Sequence, residues 1–194
     1  MVSDDAEFLR TEITASIKVK KILLETPTEL MKIEALGVAC RKCLSRGGKI
    51  IFAGNGGSFA DSQHLAAEFI SKLKTNRQPL PAVALGTNNS SVTAIGNDYG
   101  FEEIFSRELI AIGLKKDLFI PITTSGNSAN ILKSVETAKH MGIETVGLTG
   151  NNGGKMASMT QSIIVPSENV ARIQECHILI GHIICGIAEQ EFLS

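Results

Sequence analysis

This chain has no excess of charge and no run of lysine or arginine: 19 basic and 20 acidic side chains among 194 residues leave a formal charge of −1. Proteins that grip nucleic acid through its phosphates carry a basic stripe, so that class is disfavoured. Cysteine is sparse, with only Cys40, Cys43, Cys176 and Cys185. Scattered thiols in a mid-sized chain with no signal peptide predict reduced cysteines in a cytoplasmic protein. Cys40 and Cys43 have C-x-x-C spacing, but a four-ligand zinc site needs a second pair, and the sequence has none. No apolar run reaches membrane-spanning length, and no membrane partner is expected. The most apolar segment, Ile178 to Ile187, is interrupted by Gly181, His182 and Gly186. It reads as a helix buried on most sides, which suggests a subunit interface in addition to an internal core.

The usual nucleotide fingerprints are missing too. Gly54-Asn55-Gly56-Gly57-Ser58 lacks G-x-G-x-x-G spacing, and in Gly150-Asn151-Asn152-Gly153-Gly154-Lys155 the lysine is followed by Met156. A nicotinamide dinucleotide or a nucleoside triphosphate is therefore disfavoured.

What is present is an ordinary globular composition, 43% hydrophobic and 20% charged. Helical spacing covers about Asp4 to Glu25 and Glu29 to Ser45, broken at Pro27. After Gly47-Gly48 the pattern changes. Apolar runs at Lys49–Ala53, Pro81–Leu85, Leu118–Ile122, Thr145–Leu148 and Ser162–Val165 predict short buried strands. Helical stretches at Ser58–Lys72, Phe101–Ile112, Ser128–His140, Lys155–Ser158 and Val170–Phe192 separate or follow them. Such alternation predicts an α/β fold with parallel strands, right-handed crossovers and helices on both faces. With no linker or repeat, residues 1–194 are expected to form one domain, with residues 1–46 as an N-terminal helical hairpin. Ligands of open parallel sheets bind beyond the carboxyl ends of the strands. The turns to inspect are thus Gly54–Ser58, Gly86–Asp98, Thr123–Ser128 and Gly150–Gly154.

Three of the chain's segments carry chemistry. At Gly54–Ser58, glycines allow a close backbone approach and lead into a helix N-terminus, whose free N–H groups suit an anion. His64 and Glu68, at i and i+4 on that helix, project from one face and offer acid/base or metal-binding capacity. Thr123-Thr124-Ser125-Gly126-Asn127-Ser128 places four hydroxyls between a strand and a helix, a neutral cradle for a phosphate monoester. Ordinary N-capping, worth about 1 kcal/mol, would explain one hydroxyl and not four. Arg172-Ile173-Gln174-Glu175, with His177 and His182, lies on the last helix. On these residues alone, core histidines and polar interface contacts are the favoured reading. Asn97-Asp98-Tyr99-Gly100 has turn composition, placed near the same sheet edge.

Taken in order, Ala53–Ser58, His64-x-x-x-Glu68, Gly96-Asn97-Asp98, Thr124–Ser128 and Arg172–Glu175 with His182 resemble the sugar isomerase (SIS) domain family. The resemblance runs nearly the whole chain, and within the family it is strongest to the branch that isomerises sedoheptulose 7-phosphate. It implies a three-layer αβα sandwich around a five-stranded parallel sheet, assembled as a homotetramer with its sites at subunit interfaces. It also implies conversion of D-sedoheptulose 7-phosphate to D-glycero-D-manno-heptose 7-phosphate, on the way to bacterial surface glycans. By the same resemblance Asn55, Gly56, Gly57, Asn97, Asp98 and Gln174 contact the substrate, and Thr123, Thr124, Ser125 and Ser128 hold its phosphate. Glu68 and His182 form the acid/base pair. His64, Glu68, Gln174 and His182 bind a zinc ion, one per subunit. Glu68 thus has two roles that compete in part, since a metal-bound carboxylate is a weaker base.

Three positions depart from the family's pattern: Thr123 where serine is usual, Asn88 where aspartate is frequent, and Ala171 where one branch has aspartate. Two other readings stand beside the isomerase. One is a non-catalytic SIS regulator that binds a replication initiator, against which the retention of both Glu68 and His182 argues. The other is an isomerase of a different sugar phosphate.

Overall fold

The computed structural model describes residues 3–193. Met1, Val2 and Ser194, the extremes of the expected 1–194 domain, lie outside the described residues. Two helices come first, α1 (Asp4–Leu24) and α2 (Pro27–Ser45). Ser3 caps α1 by accepting from the Ala6 N–H, and Asp4, Asp5 and Glu7 oppose the positive end of the helix dipole. Pro27 opens α2 at a position where the missing N–H is of no consequence.

The remainder alternates as expected: β1 (Ile50–Gly54), α3 (Gly57–Ile70), β2 (Ala82–Ala84), α4 (Asn89–Asp98), α5 (Ile104–Ile112), β3 (Leu118–Thr123), α6 (Ala129–Met141), β4 (Glu144–Gly150), α7 (Met156–Met159), β5 (Gln161–Val165) and α8 (Val170–Glu189). Single 3-10 turns, Phe101–Glu103 and Gln190–Phe192, precede α5 and follow α8. All strand pairs are parallel, in the order β2-β1-β3-β4-β5. The three-layer αβα architecture around a five-stranded parallel sheet is therefore present.

Alternate strand residues feed two cores. Ile50, Phe52, Leu118, Ile120, Ile122 and Leu148 pack with α2, α3 and α8 on one face. Ile51, Ala53 and Phe119 pack with α5 and α6 on the other. Burial on both faces is why these strands read as continuous apolar runs.

One expected turn is corrected. Gly86–Asp98 is not all loop, because Asn89–Asp98 is the helix α4. Asn88 caps it, its side-chain oxygen accepting from the Ser90 and Ser91 N–H groups. The carboxamide thus does at this position what an aspartate would do. Thr123 also moves, from a loop to the last residue of β3. The apolar last helix is longer than the Ile178–Ile187 run. By length and composition Val170–Phe192 would suffice to cross a bilayer. It instead lays Ile173, Cys176, Ile180, Ile184 and Ala188 into the core. Its other face is open rather than enclosed: Val170, Leu179 and Ile183 are exposed.

Candidate functional site

The order 2-1-3-4-5 reverses direction between β1 and β3, so the turns that leave those two strands diverge to opposite faces and open a crevice. These turns are the glycine segment after β1 and the hydroxyl segment after β3. A reciprocal amide pair ties them together. The Asn55 Nδ2 donates to Asn130 Oδ1 at 2.8 Å, and the Asn130 Nδ2 donates to Asn55 Oδ1 at 2.9 Å. Asn55 therefore uses one amide N–H and one oxygen lone pair to hold the two turns in register. Asn130, buried in the first turn of α6, escaped the sequence reading.

Backbone sterics shape the first turn. A Cβ at Gly54 would overlap the backbone of Ser58. Gly56 has φ of +56° with open space in front of it, where a side chain would be strained and would fill the crevice. α3 begins at the next residue without a side-chain cap. Its first N–H groups thus take no side-chain acceptor, as at other anion-binding helix starts.

In the hydroxyl segment, capping does not account for Ser128. Ser128 occupies the N-cap position of α6 but makes no side-chain cap hydrogen bond. Its Oγ lies 3.0 Å from the Thr123 Oγ1, which is 3.5 Å from the Ser125 Oγ. The hydroxyls of Thr123, Ser125 and Ser128 lie together, and the Ser125 Oγ also accepts from the Asn127 N–H at 3.1 Å. Thr123, for all its extra methyl group, keeps its oxygen in that cluster.

The loop after β4 buttresses the cradle. Asn127 Oδ1 accepts from the Lys155 N–H at 3.0 Å, and Gly126 O accepts from the Met156 N–H at 3.0 Å. A Cβ on Gly126 would overlap the Gly153 carbonyl. The glycines of Gly150–Gly154 thus serve close packing.

On α3, two turns beyond the glycine segment, His64 Nε2 lies 3.2 Å from Glu68 Oε1 and 3.0 Å from His182 Nε2 on α8. One ligand atom from each of the three residues falls within 4.8 Å of the others. His64 is exposed, Glu68 and His182 half-buried, so the group faces solvent with one side free. Gln174 sits at the other end of this row. Its carboxamide lies over Gly57, where a Cβ would come 2.5 Å from Nε2. Along α3 that is roughly 10 Å from His64, at 1.5 Å per residue.

Asp61, one turn before His64 on the same face, was also overlooked. Its Oδ2 is buried without a partner, and burial pushes its pKa up to about 6 against the pull of His64. The signal was available, since 61, 64 and 68 share helical spacing. Asn97 and Asp98 are not brought to this group within the chain. They end α4, exposed, with Asn97 Nδ2 donating to Asp98 Oδ1 at 2.8 Å. Ala171, exposed in the first turn of α8, donates its N–H to the cap residue Asn169.

The chain is similar to several known proteins. The SIS domain model matches residues 17–150. Over 185 residues the chain is 49% identical to the phosphoheptose isomerase of Aneurinibacillus thermoaerophilus, covering 95% of this chain and 93% of that one. The solved structure of a phosphoheptose isomerase from Francisella tularensis superposes with a TM-score of 0.90 at 35% identity, covering 97% of this chain and 100% of the other. That of the Neisseria gonorrhoeae phosphoheptose isomerase gives 0.86 at 38% identity, covering 94% and 97%.

Proposed function

This chain belongs to the SIS domain family, and we propose that within it the protein is an isomerase converting D-sedoheptulose 7-phosphate to D-glycero-D-manno-heptose 7-phosphate in bacterial heptose biosynthesis. The observation that carries the reading is the convergence of His64, Glu68 and His182 beside a crevice that also holds an uncapped helix start and a hydroxyl cluster. A non-catalytic relative would have no need of that convergence.

Moving a carbonyl from C2 to C1 needs a proton removed from one carbon and a proton delivered to its neighbour. Glu68 takes the proton from C1 as the C2 carbonyl oxygen receives one from His182, which gives the enediol. The proton on the C1 oxygen then leaves, C2 is protonated, and the double bond to oxygen rests at C1. Atoms and electrons balance with no redox partner. A carboxylate and an imidazole facing one substrate suit both halves of this exchange.

The phosphate is assigned to Thr123, Thr124, Ser125 and Ser128, and the sugar to the backbone of Asn55, Gly56 and Gly57 with Gln174. Asn97 and Asp98, at the exposed end of α4, fit a substrate contact made across a subunit boundary. Exposed apolar side chains on α1 (Phe8, Leu9, Ile13, Ile17) and α8 (Leu179, Ile183) support a homotetramer with its sites at the interfaces. We place the assembly in the cytoplasm.

His64, Glu68 and His182 fit a zinc ion by donor chemistry and spacing. Their closest separations, 3.0 and 3.2 Å, are near the roughly 3.3 Å between neighbouring ligands of tetrahedral zinc. These three are the residues that would hold it, one ion per subunit; Gln174, expected as a fourth ligand, lies over Gly57 at the other end of the row and is not brought to them. Bound there, zinc supplies Lewis-acid polarisation of the substrate carbonyl. The test of the proposal is incubation of the purified protein with sedoheptulose 7-phosphate and detection of an aldoheptose phosphate. A protein that leaves the ketose unchanged would contradict it.

A further inference from the structure

The two helices that carry the reactive side chains run alongside each other in the same direction, and three contacts fix their spacing. At one end Gly57 admits the Gln174 carboxamide. Midway, Gly181 lets α8 approach Leu65, and a Cβ there would overlap that side chain. Both contacts are steric. The third is a fully buried guanidinium from the segment between α3 and β2.

Arg77 has no exposed side-chain surface, and Glu189, its partner at the end of α8, has 4%. Arg77 Nε donates to Glu189 Oε2 at 3.1 Å. Its Nη2 donates to the backbone carbonyl of Glu68 at 2.9 Å. Its Nη1 donates to the carbonyls of Phe69 at 2.8 Å and Gln78 at 3.2 Å, and lies 3.5 Å from that of Ser71. One planar fork therefore caps the final turn of α3 and pins it to α8. The carbonyls of Glu68 and Phe69 belong to the group that every helix C-terminus leaves without intrahelical partners. A cation there also matches the negative end of the helix dipole.

If stability were the whole purpose, well-packed apolar residues could replace a buried ion pair. They could not bond to the carbonyl of Glu68. Arginine supplies the planar set of donors that this position needs, and lysine does not.

We infer that Arg77, held by Glu189, is a positioning residue for the isomerisation: it fixes the backbone of Glu68 and the end of α3 against α8, so that Glu68 and His64 meet His182. The inference rests on the assignment of Glu68 and His182 to the proton transfer. The cradle after β3 lies outside the clamp, so substrate affinity should survive its loss.

The test compares full-length wild type with Arg77→Met/Glu189→Met, which removes both charges together, and with Arg77→Lys, which keeps a charge opposite Glu189. Each is melted, assayed on sedoheptulose 7-phosphate, and examined by histidine-ring 1H–15N NMR. Folded variants should lose at least about tenfold in kcat, since a misplacement of even 1 Å is costly, with KM within about twofold of wild type. The ring signals of His64 and His182 should shift while those of His140 stay. A purely structural role would lower the melting temperature without that split between kcat and KM. An unchanged kcat in a folded variant, or equal losses in kcat and affinity, would overturn the inference. If the double variant does not fold, Arg77→Lys decides by the same readouts. Wild type inactive on this substrate would defeat the functional assignment alone. The NMR arm would then decide the clamp: shifted His64 and His182 signals uphold it, and unmoved signals overturn it.

Discussion

His64 and His182 stand 118 positions apart in the chain, and their Nε2 atoms lie 3.0 Å apart. Only one of two facing imidazole nitrogens can carry the proton of a neutral pair, so the contact is either a shared proton or a place for a cation. Glu68 Oε1, 3.2 Å from the same His64 nitrogen, adds an acceptor that favours positive charge between them. α3 and α8 have little reason to present these three groups together except to act on one small target.

The zinc site proposed for these three residues is tested by metal content. Protein purified without chelator should contain about one zinc ion per subunit by elemental analysis, and His64→Ala should lower the content sharply, as first-row ions need several good donors. A metal-free preparation with full activity would remove the ion from the account.

The hydroxyl cradle predicts a different phenotype. Thr123→Val and Ser128→Ala each remove a donor to a dianion, and hydrogen bonds to charged groups contribute about 1.5–3 kcal/mol. KM should rise by roughly tenfold or more, at 1.4 kcal/mol per tenfold, with kcat changed much less. Competitive inhibition by inorganic phosphate should weaken in parallel. Inhibition equal to wild type in both variants would place the phosphate elsewhere.

Two glycines of α8 should respond to alanine with opposite signs. At Gly181 the new Cβ would sit 2.9 Å from the Leu65 Cγ inside a closed core, an overpacking that costs about 1–3 kcal/mol. At Gly186 the nearest atom is Leu73 Cδ2, 3.8 Å away, so the new methyl meets no clash within the chain and adds about 1 kcal/mol of helix propensity. Thermal melts should show Gly181→Ala below wild type and Gly186→Ala above it. Gly181→Ala should also slow turnover, because it spreads the helices that bring His182 to His64. Equal melting temperatures would contradict the close approach.

Much of this was legible in the sequence, for identifiable reasons. β1 and β3 are buried along their whole length and therefore read as unbroken apolar runs. The glycine and hydroxyl turns concentrate their chemistry in contiguous residues. α4 escaped because Val92 and Ile95 are nearly all the apolar periodicity it has, and only its Asn88 cap announces it. Asn130 and Arg77 escaped for another reason. Their meaning lies in partners 75 and 112 positions away, Asn55 and Glu189, and nothing local marks them.

His177 gives the fold a pH dependence. Its ring is fully buried with no side-chain partner, and burial pushes its pKa down to about 4 against a backbone contact at Thr149. The unfolded chain takes up this proton near pH 6.5. Between those values the unfolded state binds more protons, so stability is full above about pH 6.5 and falls as pH drops toward 4. The loss attributable to His177 is about 3 kcal/mol, from about 1.4 kcal/mol per pKa unit. Asp61, pushed up to about 6, acts in the opposite sense between its unfolded value near 4 and pH 6. Urea titrations of wild type and His177→Leu at pH 7 and 4.5 separate the two, since the variant keeps the Asp61 contribution. The stability of wild type relative to the variant should fall by roughly 2–3 kcal/mol between those pH values. Parallel pH dependence would contradict the burial of a neutral imidazole.

In the proposed reaction Glu68 and His182 isomerise a seven-carbon ketose phosphate through an enediol. The direct measurement is incubation with sedoheptulose 7-phosphate in D2O, with NMR detection of the product for wild type, Glu68→Gln and His182→Ala. Wild type should yield an aldoheptose phosphate carrying solvent deuterium at C2. Each variant should stay folded and lose at least about a hundredfold in rate, the usual lower bound for removing a general acid or base. Wild-type product levels from either variant, or no aldose from the wild type, would contradict the claim.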